Sequence, residues 1–232
     1  MGKITINERT IKDPITFIGE VAGECYGSDV TDKKKNFKRG IDCISMNHGR
    51  PIEFPSVYLK LDGYSAKVIR ELYTHIIDVS RLQASTRYIT YDNFDYITPH
   101  TVSRDKDYSF TIYKECMSLI SRSYQHLLKL GIPKEDASMI LPLGMTTKMV
   151  WRVGLRELID FISKRSCTRA FWEIRDICED IKNELREYSP EWKILANDYF
   201  KTKCDVSHNC TESSPCHKWS KRSIYENRNR CR

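Results

Sequence analysis

MVWRVGLRELIDFISKRSCTRAFWEIRDICEDIKNEL, residues 149–185, carries the clearest periodicity in a chain of 232 residues. Leu155, Leu158, Ile159 and Ile162 return at intervals of three or four, and Ala170, Ile174, Ile177, Ile181 and Leu185 do so again. That spacing gathers apolar side chains on one face of a helix. The stretch predicts two amphipathic helices, the first opening near Met149. The polar run Lys164-Arg165-Ser166-Cys167-Thr168 joins them, with Ser166 or Thr168 available as the cap of the second. Arg165 is thereby set at a helix junction rather than on a face.

Working toward the N-terminus, Ser109 to Leu130 has helical spacing in Ile112, Cys116, Leu119, Ile120, Leu127 and Leu128. It stops at Gly131, and a short helix is expected near Pro133. Val57, Leu59 and Leu61 alternate with Tyr58 and Lys60, the period of a half-buried strand, and Asp62-Gly63 reads as the turn that ends it. Val68, Ile69, Leu72, Ile76 and Val79 then share a helical face that delivers the chain to Ser80. Residues 1–13 are polar and irregular, Ile15 to Ala22 fits a strand or the start of a helix, and Ser28 to Arg39 reads as a lysine-rich connection.

The net charge of +7 is concentrated at one end: residues 201–232 hold eight Lys/Arg against three Asp/Glu, and the remainder is close to neutral. A nucleic-acid-binding body is therefore not expected. No segment approaches the roughly 20 apolar residues that cross a bilayer, and a cytoplasmic protein is expected. Nine cysteines at 25, 43, 116, 167, 178, 204, 210, 216 and 231 are odd in number and scattered, unlike a secreted disulfide framework. Body and tail divide at about residue 200, giving one domain over 1–200 and a basic, cysteine-rich segment over 201–232.

Ser80-Arg81-Leu82-Gln83-Ala84-Ser85-Thr86-Arg87 packs three hydroxyls, an amide and two guanidinium groups into eight residues. Hydroxyls and an arginine fork match the oxygens of a phosphate. The alternative is solvated arginines with hydroxyls satisfying local turns. No Cys/His or Ser/His/Asp arrangement stands out as a nucleophile, Ser85 being the nearest to one.

In sequence order, Asn47-His48-Gly49-Arg50-Pro51-Ile52-Glu53, the Ser80 to Arg87 stretch, Ile140-Leu141-Pro142-Leu143-Gly144-Met145-Thr146-Thr147, Val153-Gly154-Leu155-Arg156-Glu157-Leu158, Arg165 and Arg169-Ala170-Phe171-Trp172-Glu173-Ile174-Arg175 resemble the motifs of the flavin-dependent thymidylate synthases. The family signature is Arg-His-Arg, two residues, Ser, one residue, Asn, Glu, one residue, Ser, one residue, Arg. Its second half is matched by Ser80, Gln83, Ser85 and Arg87. Its first half is His75-Ile76-Ile77 here, its Asn is Leu82, and Gly154 and Ser138 replace an asparagine and a phosphate-binding arginine of the family. Arg81 stands as a possible replacement charge.

The resemblance implies an α+β fold, a mixed or antiparallel sheet flanked by helices in a single domain, assembled as a homotetramer. It implies dUMP held by Gln83, Ala84, Ser85, Thr86, Arg87 and Arg165, with Arg87 near the phosphate and Arg165 the catalytic group facing the pyrimidine. For FAD it implies His48, Arg50, Glu53, His75, Gln83, Arg156 and Asp160, with NADPH and methylenetetrahydrofolate as co-substrates. Two further readings stand beside reductive methylation of dUMP to dTMP. One is a flavin-dependent paralogue that acts on another pyrimidine nucleotide or transfers a hydroxymethyl group. The other is a non-catalytic nucleotide-binding protein of the same fold.

Cys204, Cys210 and Cys216 recur every six residues, with Cys231, His208 and His217 nearby. They have the donors for a tetrahedral zinc site, though not the usual spacing. The other reading is a basic tail with reactive thiols.

Overall fold

The computed structural model describes residues 2–104, 108–216 and 218–219. In chain order the elements are strand β1 (Lys3–Ile6), helices α1 (Pro14–Cys25), α2 (Lys33–Ser45) and α3 (Gly49–Ile52), strand β2 (Ser56–Ser65), helix α4 (Ala66–Leu72), strand β3 (Val79–Gln83), helices α5 (His100–Arg104), α6 (Tyr108–Lys129) and α7 (Lys134–Ala137), strand β4 (Thr146–Gly154), and helices α8 (Leu155–Arg165), α9 (Trp172–Tyr188), α10 (Pro190–Ile194) and α11 (Lys203–Ser207). This is the expected α+β class, a four-stranded antiparallel sheet flanked by helices. By internal packing the chain divides into two compact units, Met1–Asn7 with Tyr58–Arg152, and Glu8–Val57 with Val153–Arg232.

The first unit is built on the sheet, whose order is β1-β2-β4-β3. β1 lies antiparallel to β2 with Lys3 opposite Asp62 and Ile6 opposite Leu59. Ile4, Leu59, Leu61, Met149 and Trp151 are buried at alternate positions, as a strand with one covered face requires. Side chains of α6 hold the stretch before β4: the Tyr113 hydroxyl donates to the Ile97 carbonyl at 2.8 Å, that of Ser121 to the Asp92 carbonyl at 2.8 Å, and the Tyr91 amide donates to the Tyr124 hydroxyl.

Several expectations are corrected in this unit. The irregular start contains β1. β2 runs through Asp62-Gly63, with Gly63 at φ 76°, to Ser65, three residues beyond its last partner in β1, Asp62 opposite Lys3. α4 stops at Leu72, so Ile76 and Ile77 are 75% and 71% exposed rather than on a helical face. Ser80 to Gln83 belongs to β3, and only the residues after it make the anticipated loop. Residues 149–154 are strand, not helix, since Met149, Trp151 and Val153 alternate inward where the helical pattern starts only at Leu155.

The second unit is helical. α1 begins at Pro14, whose ring suits the first turn where no N–H partner exists. The carboxylate of Glu191 accepts from the amides of Ile15 and Thr16, at 2.7 and 2.9 Å, and so satisfies orphan donors there. α2 replaces the expected connection: Asp32 caps it by accepting from the Lys34 and Lys35 amides, and Asn36, Gly40, Cys43 and Ile44 face inward. Ile174, Ile177, Ile181 and Leu185 lie in the buried stripe of α9 as expected and are joined there by Cys178, whereas Ala170 falls before the helix, in the connection to it. Its cap is Phe171, with no side-chain bond, rather than Ser166 or Thr168. Residues 10–12 are stitched down by the Tyr188 hydroxyl, the Ser189 hydroxyl and the Trp192 indole N–H, which donate to the carbonyls of Thr10, Lys12 and Ile11.

Burial pushes the Cys178 thiol up to about 12. It should therefore stay protonated and inert through the neutral range. Timed alkylation with mass mapping should label exposed Cys25 and Cys116 within the native protein and Cys178 only after denaturation. Among the described residues no helix is long and apolar enough to cross a membrane.

Candidate functional site

In the first unit the expected nucleotide residues fall on and just after β3. Gln83 ends the strand, with its amide nitrogen 3.5 Å from the Thr147 hydroxyl of β4. The Ala84 amide donates to the Lys148 carbonyl at 2.8 Å, which extends the strand pairing by one bond. The chain then turns at 86–88, where the Ser85 hydroxyl accepts from the Arg87 amide at 3.2 Å and the Ser85 carbonyl accepts from Ile89. Gln83 to Thr86 are half-buried and Arg87 is exposed. The arrangement therefore sets a hydroxyl and an exposed guanidinium just past the end of an edge strand. Arg87 bonds Glu135 of α7 at 2.8 Å, with both side chains more than half exposed. Such a pair contributes about 0–1 kcal/mol, little enough for a phosphate to displace the carboxylate.

Arg81 is committed elsewhere. Its guanidinium donates to the carbonyls of Leu72, Tyr73 and His75 and stacks 4.4 Å from the centre of the Tyr73 ring. It thus closes the C-terminal end of α4, where free carbonyls attract a cation. His75 is buried at 7% exposure, while the neighbouring departures from the family signature, Ile76, Ile77 and Leu82, are exposed. Asp78, at φ 47°, pairs with Arg152 and fixes the entry to β3. Sequence periodicity pointed to neither residue, because the pair joins positions 74 apart.

In the second unit Glu53 and Arg156, both named by the resemblance for the flavin, lie together beside Gly49. Arg156, in the first turn of α8, donates to Glu53 at 2.5 Å, and Arg50 sits 3.5 Å from the other Glu53 oxygen. A Cβ on Gly49 would lie 2.7 Å from the Arg156 guanidinium carbon, so this glycine makes the close approach possible. His48, exposed, precedes α3, and Asp160 lies one turn along α8 from Arg156, paired with Lys164 at 2.6 Å. Arg165 is the last residue of α8 and is half-buried.

Residues 8–191 match the model of the family described as thymidylate synthase complementing protein. The chain belongs to this family. Among curated relatives, the flavin-dependent thymidylate synthase of Geobacter sulfurreducens is 29% identical over 197 residues, 81% of this chain and 84% of the relative. The one from Clostridium tetani is 27% identical over 212 residues, again 81% and 84%. The one from Pyrococcus furiosus is 28% identical over 176 residues, 74% and 70%. The family match ends at Pro190's neighbour Glu191, the residue whose carboxylate caps α1, so the cysteine-rich segment lies beyond it. Of that segment's expected metal ligands, Cys204, Cys210 and Cys216 are described, whereas Cys231 and the nearby His217 lie outside the described residues. The His208 ring packs 4.6 Å from the Trp219 ring.

Proposed function

We propose that this member of the thymidylate synthase complementing family is a flavin-dependent thymidylate synthase that converts dUMP to dTMP. In this reading FAD is the flavin, methylenetetrahydrofolate supplies the carbon, NADPH supplies the electrons, and the enzyme works as a cytoplasmic homotetramer. The observation that carries it is the joint retention of Ser85 and Arg87 on the turn after β3 and of Arg165 at the end of α8, within a family match over residues 8–191.

The chain's own residues have chemistry suited to the task. Arg87 and the Ser85 hydroxyl offer charge-assisted and neutral donors to a phosphate, with Gln83, Ala84 and Thr86 shaping the same strand end. Arg165 stays charged at any working pH and can stabilise negative charge developing on pyrimidine oxygens. The proposed flavin site is the Glu53–Arg156 pair lodged against Gly49, where the Arg50 side chain, 90% exposed and only 3.5 Å from Glu53 in a solvent-facing pair, offers a second guanidinium to a diphosphate. His48 and Asp160 complete the proposed flavin set of this unit. When bound, the flavin supplies the electron transfer that no side chain provides.

Incubating the purified full chain with FAD, dUMP, NADPH and methylenetetrahydrofolate, and identifying the product by mass, tests this reading. dTMP is expected. A hydroxymethyl nucleotide would replace it with the paralogue, and a protein that takes up no flavin would replace it with the non-catalytic binder. Arg87→Ala should raise KM for dUMP by about 10- to 100-fold, the worth of one hydrogen bond to a charged group at about 1.5–3 kcal/mol, with a smaller change in kcat.

A further inference from the structure

Cys167, Cys204, Cys210 and Cys216 line one cavity of about 260 Å³ in the second unit. Cys167 comes from the connection between α8 and α9, Cys204 from α11, and the other two from the chain that follows. All four are free thiols. Residues 201–216 lie beside this connection, and Cys210 is the one buried residue among them.

That burial does little to hold the segment there, because one small side chain gains little against the conformational entropy lost at every residue fixed. The polar ties are modest as well. Arg169 meets Glu212 at 3.3 Å and the Ser214 carbonyl at 3.1 Å. Asp205 accepts from Lys218, Trp219 and Thr202 at 2.7 to 2.9 Å. Exposed ion pairs contribute little. A structural zinc ion contributes folding free energy outright.

We propose that Cys167, Cys204, Cys210 and Cys216 bind one zinc ion that pins the C-terminal segment to the α8–α9 connection, two residues beyond Arg165. Four soft donors from separate segments are what a closed structural zinc site uses. The even six-residue repeat in the tail differs from zinc-knuckle spacing because the fourth ligand belongs to the body. No three of the four sulfurs lie within 4.8 Å of one another. A tetrahedral set at about 2.3 Å from zinc needs them closer. Rotation about Cα–Cβ supplies the movement, since Cys216 is exposed and Cys167 and Cys204 are only half-buried. Each thiol releases its proton to solvent on binding. The double negative charge of a zinc ion with four thiolates is offset by Lys164, Lys203 and Arg169 in the same wall.

Elemental analysis of the full chain, purified under reducing conditions, should give one zinc per chain. Cys167→Ser and Cys216→Ser should each lose it while circular dichroism stays unchanged. Cys25→Ser should retain it. Cobalt(II) added to the chelator-stripped protein should produce thiolate charge-transfer and tetrahedral bands that saturate at one equivalent, which holds even if a serine variant misfolds. Zinc retained in Cys167→Ser, a cobalt spectrum without these bands, or thiol counting that finds the four cysteines in disulfides would overturn the assignment.

Discussion

Arg165→Ala is expected to abolish turnover while the protein remains folded and yellow with bound flavin. Arg165 is the last residue of α8, where the helix is already complete and its apolar stripe, Leu155, Leu158, Phe161 and Ile162, is buried without it. Truncation therefore removes a guanidinium rather than a piece of core. A donor aimed at developing charge is worth about 10²- to 10³-fold in kcat, and the loss here should be at least that large. Arg165→Lys should recover only part of it, because an ammonium keeps the charge and loses the planar fork. Single-turnover kinetics with flavin absorbance read alongside make the test. Loss of flavin and of helical circular dichroism together would make Arg165 a structural residue, and unchanged kcat would remove it from the chemistry.

Gly40→Ala is expected to be strongly destabilising in the second unit. A Cβ there would stand 1.9 Å from the Ile15 carbonyl oxygen, and one on Gly19 would stand 1.8 Å from the Asn36 carbonyl oxygen. The obstacle in each case is backbone, so no side chain can swing aside and α1 and α2 must separate. The Arg39 guanidinium bridges the same seam, donating to the Gly19 carbonyl at 2.7 Å and the Asn36 side chain at 3.0 Å, and it would be drawn apart with it. Overpacking costs about 1–3 kcal/mol and occasionally more, and rigid neighbours put this case at the upper end. About 3 kcal/mol corresponds to a Tm lower by about 6–12 °C in a chain of this size. Gly19→Ala should behave alike, and the double variant should cost less than the two added together, because one separation of the helices relieves both clashes. A Tm within a degree of the parent for either single variant would contradict the packing.

These two positions also show where sequence reading succeeds and fails. Arg165 was legible: the periodicities of α8 and α9 are strong, and a polar break between them can only be a junction. α2 was not, although Asn36, Gly40, Cys43 and Ile44 do recur at helical spacing. Asn36 and Gly40 occupy the half of its inward face that meets the α1 backbone at close range, so a long apolar pattern never forms. The same blindness affects β3. Ser80 to Gln83 has the composition of a loop, yet it pairs with β4 at the edge of the sheet. Arg81 resembles an anion ligand by composition alone, and its use at the end of α4 depends on carbonyls six to nine residues away that local pattern does not reveal.

The sequence by itself determined the helix that carries Arg156 and Arg165 and the ordered motifs that place the chain in its family, and through that resemblance the α+β class. Those features depend on side-chain period and on residue identity at short range. Tertiary structure decided that residues 146–154 are a strand, that α1 and α2 touch through Gly19 and Gly40, that Arg81 serves α4, and that Cys167 shares a cavity with three cysteines of the tail. Each of these depends on which distant segment occupies the other side of a contact. A linear pattern carries that information only through the geometry of the fold.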